Sequence, residues 1–281
     1  MNSVLRALLA SLIAVAACTA CTGDGSGGGS GRGSGRGLED PAKKDIAMRI
    51  VSSAENSSLD WKAQYKYIED IGDGRGYTAG IIGFCSGTGD MLAVVERYAK
   101  ARPGNALERF LPALRAVEGS DSHEGLGKPF TRAWQRAATF DAAFRTAQDA
   151  ERDETYLLPA VRRAEQDGLG ALGQLIYFDA YVMHGADASE SSTGFRALRE
   201  KALAGAEPPA EGGDEEDYLN AFLDARVAAI REEPSHSDTS RVETAQRVFV
   251  RERNFDLEPP LNWRVYGESY RIGSSAAAPA G

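Results

Sequence analysis

Cysteine is scarce in this sequence, and its placement excludes a fold held together by disulfides. The 281 residues include three cysteines, of which Cys18 and Cys21 lie within the first 22 positions. Only Cys85 remains for the rest of the chain, so that part cannot form an internal disulfide. Cys85 follows the apolar stretch 81–84, a context that favours a buried structural thiol over a nucleophile.

Histidine is equally scarce, and several common motifs are missing. The stretch 72–76 lacks the last glycine of a dinucleotide fingerprint, has no Lys-Ser/Thr pair for a P-loop and departs from the calcium-loop pattern. No Gly-x-Ser-x-Gly elbow occurs, which argues against a serine hydrolase. We therefore expect no metal and no cofactor. Three histidines stand apart from one another, without the spacing of zinc ligands: His123, His184 and His236.

Basic residues are too few for a nucleic-acid-binding protein. The chain has 32 Lys and Arg against 41 Asp and Glu, a net charge of -9. Residues 1–37 contain three arginines and one aspartate, which leaves 29 basic and 40 acidic residues and a net charge of -11 for the rest. Such a chain repels phosphate backbones and suits a cationic partner. With 42% apolar and 26% charged residues, it is not disordered, collagen-like or a multi-span membrane protein.

No apolar run is long enough to remain as a membrane span. The longest, residues 7–17, follows Arg6 and is shorter than the roughly 20 residues that a spanning helix needs. It is typical of a signal peptide, which we place at residues 1–22. The run ends in Val-Ala-Ala-Cys18, which resembles a bacterial lipobox, so Cys18 is a candidate lipidation site. Cys21 offers a second, imperfect lipobox, and ordinary cleavage near Ala17 or Ala20 is the alternative. A lipobox at either cysteine and ordinary cleavage all predict that the chain is exported.

Two low-complexity segments flank the expected folded region at residues 38–273. Residues 23–37 are rich in Gly, Ser and Arg and predict a flexible linker. Residues 274–281 consist of small amino acids, a composition that predicts a disordered tail. No internal repeat is present.

The hydrophobic pattern predicts an α+β fold that is predominantly helical. A first helix is expected from Asp40-Pro41 to near Glu55-Asn56, because apolar residues recur at helical spacing after an N-terminal proline. Residues 71–90, dense in glycine and β-forming residues, predict short strands with tight turns and are the only convincing β region. Further helices are expected at 91–101, 105–118, 130–152, 156–183, 193–204, 214–233 and 242–251.

One pair of carboxylates stands near the junction of the first helix and the predicted strands. Glu55 lies at the end of the helix, and Asp73 lies in the glycine-rich turn. General acid–base glycoside hydrolysis needs such a pair. Spacing alone selects them weakly among 41 acidic residues, and Asp73-Gly74 is first of all a turn dipeptide.

The residues around this pair resemble a known family. The segment 52–78, which contains Ala-Glu55-Asn-Ser and Gly-Asp73-Gly-Arg-Gly-Tyr-Thr78, is similar to the bacterial chitosanases of glycoside hydrolase family 46 and continues so to Asp90. The resemblance extends through 171–185, 218–226 and 239–242 to Pro-Pro-Leu-Asn-Trp at 259–263.

The resemblance implies roles for three residues in an inverting hydrolysis. Glu55 would be the proton donor, Asp73 the general base and Thr78 a residue that helps to hold the attacking water. In an inverting enzyme the two carboxyls stand roughly 6.5–9.5 Å apart, because a water must fit between sugar and base. The implied activity is extracellular endo-hydrolysis of β-1,4 bonds in chitosan by a monomer.

The resemblance also implies supporting residues. Asp179, Arg226 and Arg241 match a buried ionic network behind the proton donor, although salt bridges with only a structural role are the alternative. A further group matches positions that line the sugar-binding cleft: Tyr67, Arg75, Thr88, Asp90 and His184.

Two members of that group have simpler explanations that stay open. Asp90 suits an amine of glucosamine, but it also suits a helix N-cap. His184 follows an apolar stretch and also suits a core histidine with a local partner.

The implied fold is lysozyme-like, with two lobes, a small antiparallel sheet in the minor lobe and a substrate cleft between the lobes. Two other functions stay open. The chain could hydrolyse acetylated chitin or peptidoglycan, or it could be an inactive lectin that binds chitosan. The presence of both Glu55 and Asp73 argues against the lectin.

Overall fold

A computed structural model describes residues 37–185, 193–232 and 237–274. The predicted signal peptide with Cys18 and Cys21, linker residues 23–36, His236 and tail residues 275–281 lie outside these ranges. Within them, every helix is too short or too polar to cross a membrane.

Helix α1 (Pro41–Asn56) forms as the sequence predicts. Asp40 caps its first turn by accepting hydrogen bonds from the backbone N–H groups of Ala42 and Lys43, and Pro41 occupies a position where no N–H is needed. The helix ends at Ser57, whose φ of 49° is left-handed. Its apolar face is buried, whereas Glu55, the next-to-last residue of the helix, reaches the surface.

The glycine-rich segment forms most of a three-stranded antiparallel sheet. Its strands are β1 (Ile68–Asp70), β2 (Tyr77–Ala79) and β3 (Phe84–Cys85), in the order β1-β2-β3. Asp70 pairs with Tyr77, so residues 71–76 form the connection that carries Asp73. Helices with this small sheet confirm the predicted α+β class.

The prediction that residues 71–90 hold the only β structure is wrong. Strands β4 (Leu261–Val265) and β5 (Glu268–Ile272) form a second, two-stranded antiparallel sheet. Along β4 the side chains alternate between buried and exposed, which is the pattern of a strand packed on one face. That alternation and the Tyr266-Gly267 turn were the signals available in the sequence.

The remaining helices match the predicted regions but are shorter and more numerous. They are α2 (Asp90–Ala101), α3 (Leu111–Val117), α4 (Gly127–Phe140), α5 (Ala142–Arg152), α6 (Leu158–Gln166), α7 (Ala171–His184), α8 (Phe195–Leu203), α9 (Glu215–Glu232) and α10 (Arg247–Arg251). Tighter or wider helical turns occupy residues 61–66, 108–110, 153–157, 209–211 and 241–246.

Two helices that the sequence predicts as continuous are each interrupted at one residue. The predicted helix at 130–152 is divided at Asp141, whose carboxylate caps α5 through the N–H of Ala143. The predicted helix at 156–183 is divided at Gly168, which has a φ of +77° and lies against the backbone of Ala210. Neither break removes the helical periodicity on either side, which is why the pattern alone did not show it.

Helix α7 lies at the centre of the core and carries a charge into it. Residues 171–181 are all buried, and α7 packs against α6, α8 and α1. Asp179 is the charged member of that stretch and is 2% exposed. A buried carboxylate needs hydrogen-bond or ion-pair partners, and the partners of Asp179 belong to the candidate active site.

Candidate active site

Asp73 is held by its own loop. Gly72, Gly74 and Gly76 all have φ between +72° and +81°, a conformation that glycine adopts without strain. The loop therefore folds Arg75 back on Asp73: the guanidinium donates to Oδ2 from Nε at 2.8 Å and from Nη2 at 2.5 Å, and the Arg75 N–H donates to Oδ1 at 3.1 Å. The Asp73 side chain is 8% exposed and that of Arg75 is 50% exposed.

Glu55 projects from the last turn of α1 and meets a residue far along the chain. Its Oε1 accepts a hydrogen bond from Arg241 Nη2 at 2.6 Å, across 186 sequence positions. The Glu55 side chain is 26% exposed, whereas that of Arg241 is 6% exposed. The carboxylate thus has one face on a buried cation and another open to solvent.

Behind this pair the three predicted network residues come together. Arg241 Nη2 also donates to Asp179 Oδ1 at 2.7 Å, and Arg226 Nη2 donates to Asp179 Oδ2 at 2.9 Å. Gln246, which the sequence did not single out, donates to the same Oδ2 at 2.7 Å and accepts from Arg226 Nη1 at 2.7 Å. The network runs without interruption from Glu55 to the centre of α7.

The arginines fix the charge state of Asp179. Burial acts to raise the pKa of Asp179, but Arg241 and Arg226 outweigh it and hold that pKa well below its ordinary range. The pKa of Arg241 is raised, because the charges of Asp179 and Glu55 overcome its own burial. Asp179 therefore stays ionised and offsets part of the positive charge that faces Glu55.

Glu55 and Asp73 both act electrostatically on Arg75. Burial acts to lower the pKa of Arg75, yet that pKa is raised by the hydrogen bond to Asp73 and by the charges of Asp73 and Glu55. Both carboxylates thus act on the same guanidinium.

Thr78 and Cys85 face each other across the small sheet. Thr78 lies on β2, is 8% exposed and has its Oγ1 3.5 Å from Cys85 Sγ. Cys85 is a free, buried thiol that donates to the carbonyl oxygen of Gly83, and burial raises its pKa. The expectation of a buried thiol is confirmed, and a raised pKa makes the thiolate scarce.

Asp90 is tied to the protein on both oxygens. Its Oδ1 accepts from the Cys85 N–H at 2.8 Å and from Thr88 Oγ1 at 2.6 Å, and its Oδ2 accepts from the Tyr156 hydroxyl at 2.8 Å. Burial raises the pKa of Asp90. The N-cap alternative is wrong in its position, because Gly89 is the cap and Asp90 is the first residue of α2. Its pairing with a substrate amine stays a prediction.

Tyr67 and His184 each have a polar partner within the protein. The Tyr67 hydroxyl donates to Glu69 at 3.4 Å, and its pKa is raised by burial and by the charges of Glu69 and Asp73. His184 ends α7, and its Nε2 accepts from Arg226 Nε at 3.5 Å. Burial lowers the pKa of His184 to about 3, and Arg226 and Arg241 act in the same direction. This histidine is therefore neutral near neutral pH and has the local partner that the simpler alternative required.

Tyr266 also belongs to this neighbourhood, although the sequence did not single it out. It forms the turn of the β4–β5 hairpin, and its phenol interacts with the charges of Arg241 and Glu55. Only the fold brings it there, since it follows Glu55 by more than 200 positions. In the described ranges no group of three or more His, Cys, Asp or Glu side chains is arranged to hold a metal ion.

Known proteins resemble this chain over most of its length. The model of the glycosyl hydrolase family 46 matches residues 49–261. A chitosanase of Streptomyces sp. (strain N174) is 61% identical over 237 residues, which is 84% of each chain. A chitosanase of Bacillus subtilis (strain 168) is 36% identical over 231 residues, or 79% of this chain and 82% of its relative.

A solved structure extends the likeness to three dimensions. The co-crystal structure of chitosanase OU01 with substrate superposes with a TM-score of 0.81 at 56% identity, and covers 84% of this chain and 99% of the other. The predicted lysozyme-like fold is confirmed by this likeness. This chain belongs to glycosyl hydrolase family 46.

Proposed function

We propose that this protein is an endo-chitosanase that hydrolyses β-1,4 bonds between glucosamine units of chitosan. Glu55 serves as general acid, and Asp73 serves as general base. The proposal is carried by the unlike surroundings of the two carboxylates: Glu55 accepts a hydrogen bond from the buried cation of Arg241, and Asp73 accepts three hydrogen bonds from Arg75 within the glycine-rich loop. Two carboxylates in unlike surroundings are what acid–base glycoside hydrolysis requires.

Asp73 is arranged to act as the base. Its Oδ2 accepts two hydrogen bonds from the Arg75 guanidinium, which favour the ionised carboxylate, and its Oδ1 accepts from the Arg75 N–H. A carboxylate that remains ionised takes a proton from water as that water attacks the sugar. Thr78, buried on the adjacent strand β2, is the residue proposed to help hold this water. Attack by water without a covalent intermediate inverts the anomeric carbon.

Glu55 must carry a proton when the glycosidic bond breaks. Arg241 donates to Glu55 Oε1 at 2.6 Å and places a positive charge beside that oxygen. Asp179 counters this by binding the same Arg241 nitrogen. A pH profile of kcat/KM reports the pKa values of the essential acid and base and tests the two roles.

The acidic surface suits a polycationic substrate. The net charge of the chain is -9, and residues 1–37 make it less negative than the rest. Complementary charge raises the rate of encounter with a polymer of protonated amines. The relatives named above are chitosanases, which supports the same substrate.

Charge-neutral substitutions test the two roles. Glu55→Gln and Asp73→Asn are each expected to lower the release of reducing ends from chitosan by about 10²–10⁴-fold, the usual contribution of a general acid or base. Glu258→Gln and Asp224→Asn make the same chemical changes at exposed salt bridges and are expected to keep normal activity. Near-normal activity in Glu55→Gln or Asp73→Asn, with an unchanged melting temperature, would sink the assignment.

The stereochemistry and the substrate class are tested separately. Proton NMR of the first product is expected to show the α-anomer, and β-anomer product would contradict inversion. Fully deacetylated polymer is expected to be cleaved faster than chitin or peptidoglycan. The reverse order would favour the acetylated substrates.

We further propose that the enzyme is exported, since Arg6 and the apolar run at 7–17 have the composition of a signal peptide. Mass spectrometry of the mature N-terminus distinguishes a diacylated Cys18 from ordinary cleavage. An intact Met1 would contradict export.

A further inference from the structure

The turn of the β4–β5 hairpin contains a residue that the turn itself does not favour. Val265 pairs with Glu268, so Tyr266 and Gly267 form a two-residue loop. Their φ angles are 51° and 82°. Two-residue hairpin loops with positive φ at both positions favour Asn-Gly or Asp-Gly, whereas a bulky side chain at positive φ is an outlier that costs stability. Local turn chemistry therefore does not account for a tyrosine here.

The Tyr266 side chain is also open to solvent. It is 49% exposed, a large fraction for an aromatic ring. Within residues 37–185, 193–232 and 237–274, its phenol makes no hydrogen bond and its ring packs against no other aromatic ring. The side chain is available for a contact from outside the protein.

The hairpin is fixed against the two segments that carry the Glu55–Arg241 pair. The Tyr266 N–H donates to Ser240 Oγ at 2.9 Å, next to Arg241 in sequence. Trp263 Nε1 donates to Ser53 Oγ at 2.9 Å in the core, two positions before Glu55 on α1. The buried hydrogen bond from Trp263 to Ser53 and the backbone hydrogen bond to Ser240 thus fix the position of Tyr266, although its side chain is exposed.

The phenol lies within electrostatic range of the same pair. Burial of the hydroxyl raises the pKa of Tyr266, Arg241 acts to lower it, and Glu55 and Asp238 raise it further. The net pKa is raised, so the hydroxyl stays neutral and keeps both its donor and its acceptor capacity.

We propose that Tyr266 is a substrate-binding residue that contacts the sugar unit seated beside Glu55. The ring packs on a face of the pyranose, and the hydroxyl exchanges a hydrogen bond with a sugar hydroxyl or amine. Tyrosine offers this combination of apolar face and polar tip at low cost in conformational entropy. The inference rests on the proposed function in so far as Glu55 marks the site of bond cleavage.

The substitution Tyr266→Asn separates binding from folding, because asparagine is the better turn residue. We expect Tyr266→Asn to keep or raise the melting temperature while weakening the binding of a glucosamine hexamer about tenfold. Tyr266→Phe, which keeps the ring, is expected to lose about threefold. Binding is measured by calorimetry in the Glu55→Gln background, so that the hexamer is not consumed. Phe140→Asn, at another exposed aromatic side chain, is the matched control and is expected to bind normally.

The outcomes are distinct. Unchanged binding by Tyr266→Asn overturns the inference, as does a loss of affinity in Tyr266→Asn that is accompanied by a comparable loss of thermal stability. If Glu55→Gln cleaves chitosan normally, binding is compared in the Asp73→Asn background instead. Weak binding by Tyr266→Asn in that background means that the proposed acid fails and the binding role of Tyr266 stands.

Discussion

Asp179→Asn tests the buried network most directly, because it removes one charge and almost no volume. Asp179 is 2% exposed and accepts hydrogen bonds from Arg226, Arg241 and Gln246. Arg226 is 0% exposed and Arg241 is 6% exposed, so the substitution leaves two buried guanidinium groups with Glu55 as the remaining carboxylate of the network. Removal of one partner from a buried ion pair costs about 3–5 kcal/mol.

The free energy of unfolding is measured by urea denaturation at pH 7, followed by tryptophan fluorescence. Asp179→Asn is expected to lose about 3–5 kcal/mol with little change in the urea dependence. The control is Asp224→Asn, the same chemical change at a carboxylate that is 73% exposed and bound to Arg247 at 2.7 Å. An exposed pair contributes about 0–1 kcal/mol, so the control is expected to remain within that range.

The pH dependence gives a second, independent measurement. Because the pKa of Asp179 in the folded protein is lowered, its contribution is complete above the unfolded value of about 3.9 and is lost as the pH falls towards the folded value. The difference between wild type and Asp179→Asn is therefore expected to be constant from pH 7 to about pH 5 and to narrow below about pH 4. A loss below about 1 kcal/mol at pH 7, or a difference that widens on acidification, would refute the reasoning.

Two further predictions concern the neighbours of the site. His184 has a folded pKa of about 3 against an ordinary 6.5, so the unfolded chain binds more protons between these values and stability falls on acidification. His184→Gln is expected to flatten the pH dependence of unfolding over this range, by about 2–3 kcal/mol at pH 4.5, and an unchanged curve would contradict the lowered pKa. A Cβ on Gly87 would meet the carbonyl oxygens of Arg75, at 2.9 Å, and Ser120. Gly87→Ala is expected to cost about 1–3 kcal/mol and to lower chitosan hydrolysis, whereas Gly205→Ala, with no contact closer than 3.6 Å, is expected to do neither.

Local signals sufficed for much of the fold. Asp40-Pro41 is a strong helix start, and the dense glycines between 72 and 89 are hard to place anywhere but in turns between short strands. The hairpin at 261–272 was missed because its exposed face is polar and each strand has only five residues. An alternation over so few residues is a weaker signal than the longer helical patterns that precede it in the sequence.

The site was less accessible to sequence reasoning than the fold. Glu55 and Asp73 were identified because their motifs resemble those of the family. Spacing alone could not select them, since any two of the 41 acidic residues could be proposed as a pair. Gln246 carries no charge and belongs to no motif, yet it completes the hydrogen bonding of Arg226 and Asp179. Only tertiary packing reveals that role.

The same limit applies to Asp90. The sequence offered a substrate contact or a helix cap, and the structure shows a third role, in which the carboxylate joins the end of β3 to Tyr156 in a distant helical turn. Contacts between side chains on separate helices and strands produce no periodic pattern in the sequence.

The contacts of α1 also determine when the enzyme becomes complete during its synthesis. Arg241 follows Glu55 by 186 positions, and Trp263 follows Ser53 by 210. Contacts across such separations form late, because the entropy of closing long loops must be offset first. A chain that stops after α9 has the helix of the proposed acid without its cation and without the hairpin that fixes it. Hydrolytic competence of the proposed site thus needs the segment that contains Arg241 and the β4–β5 hairpin.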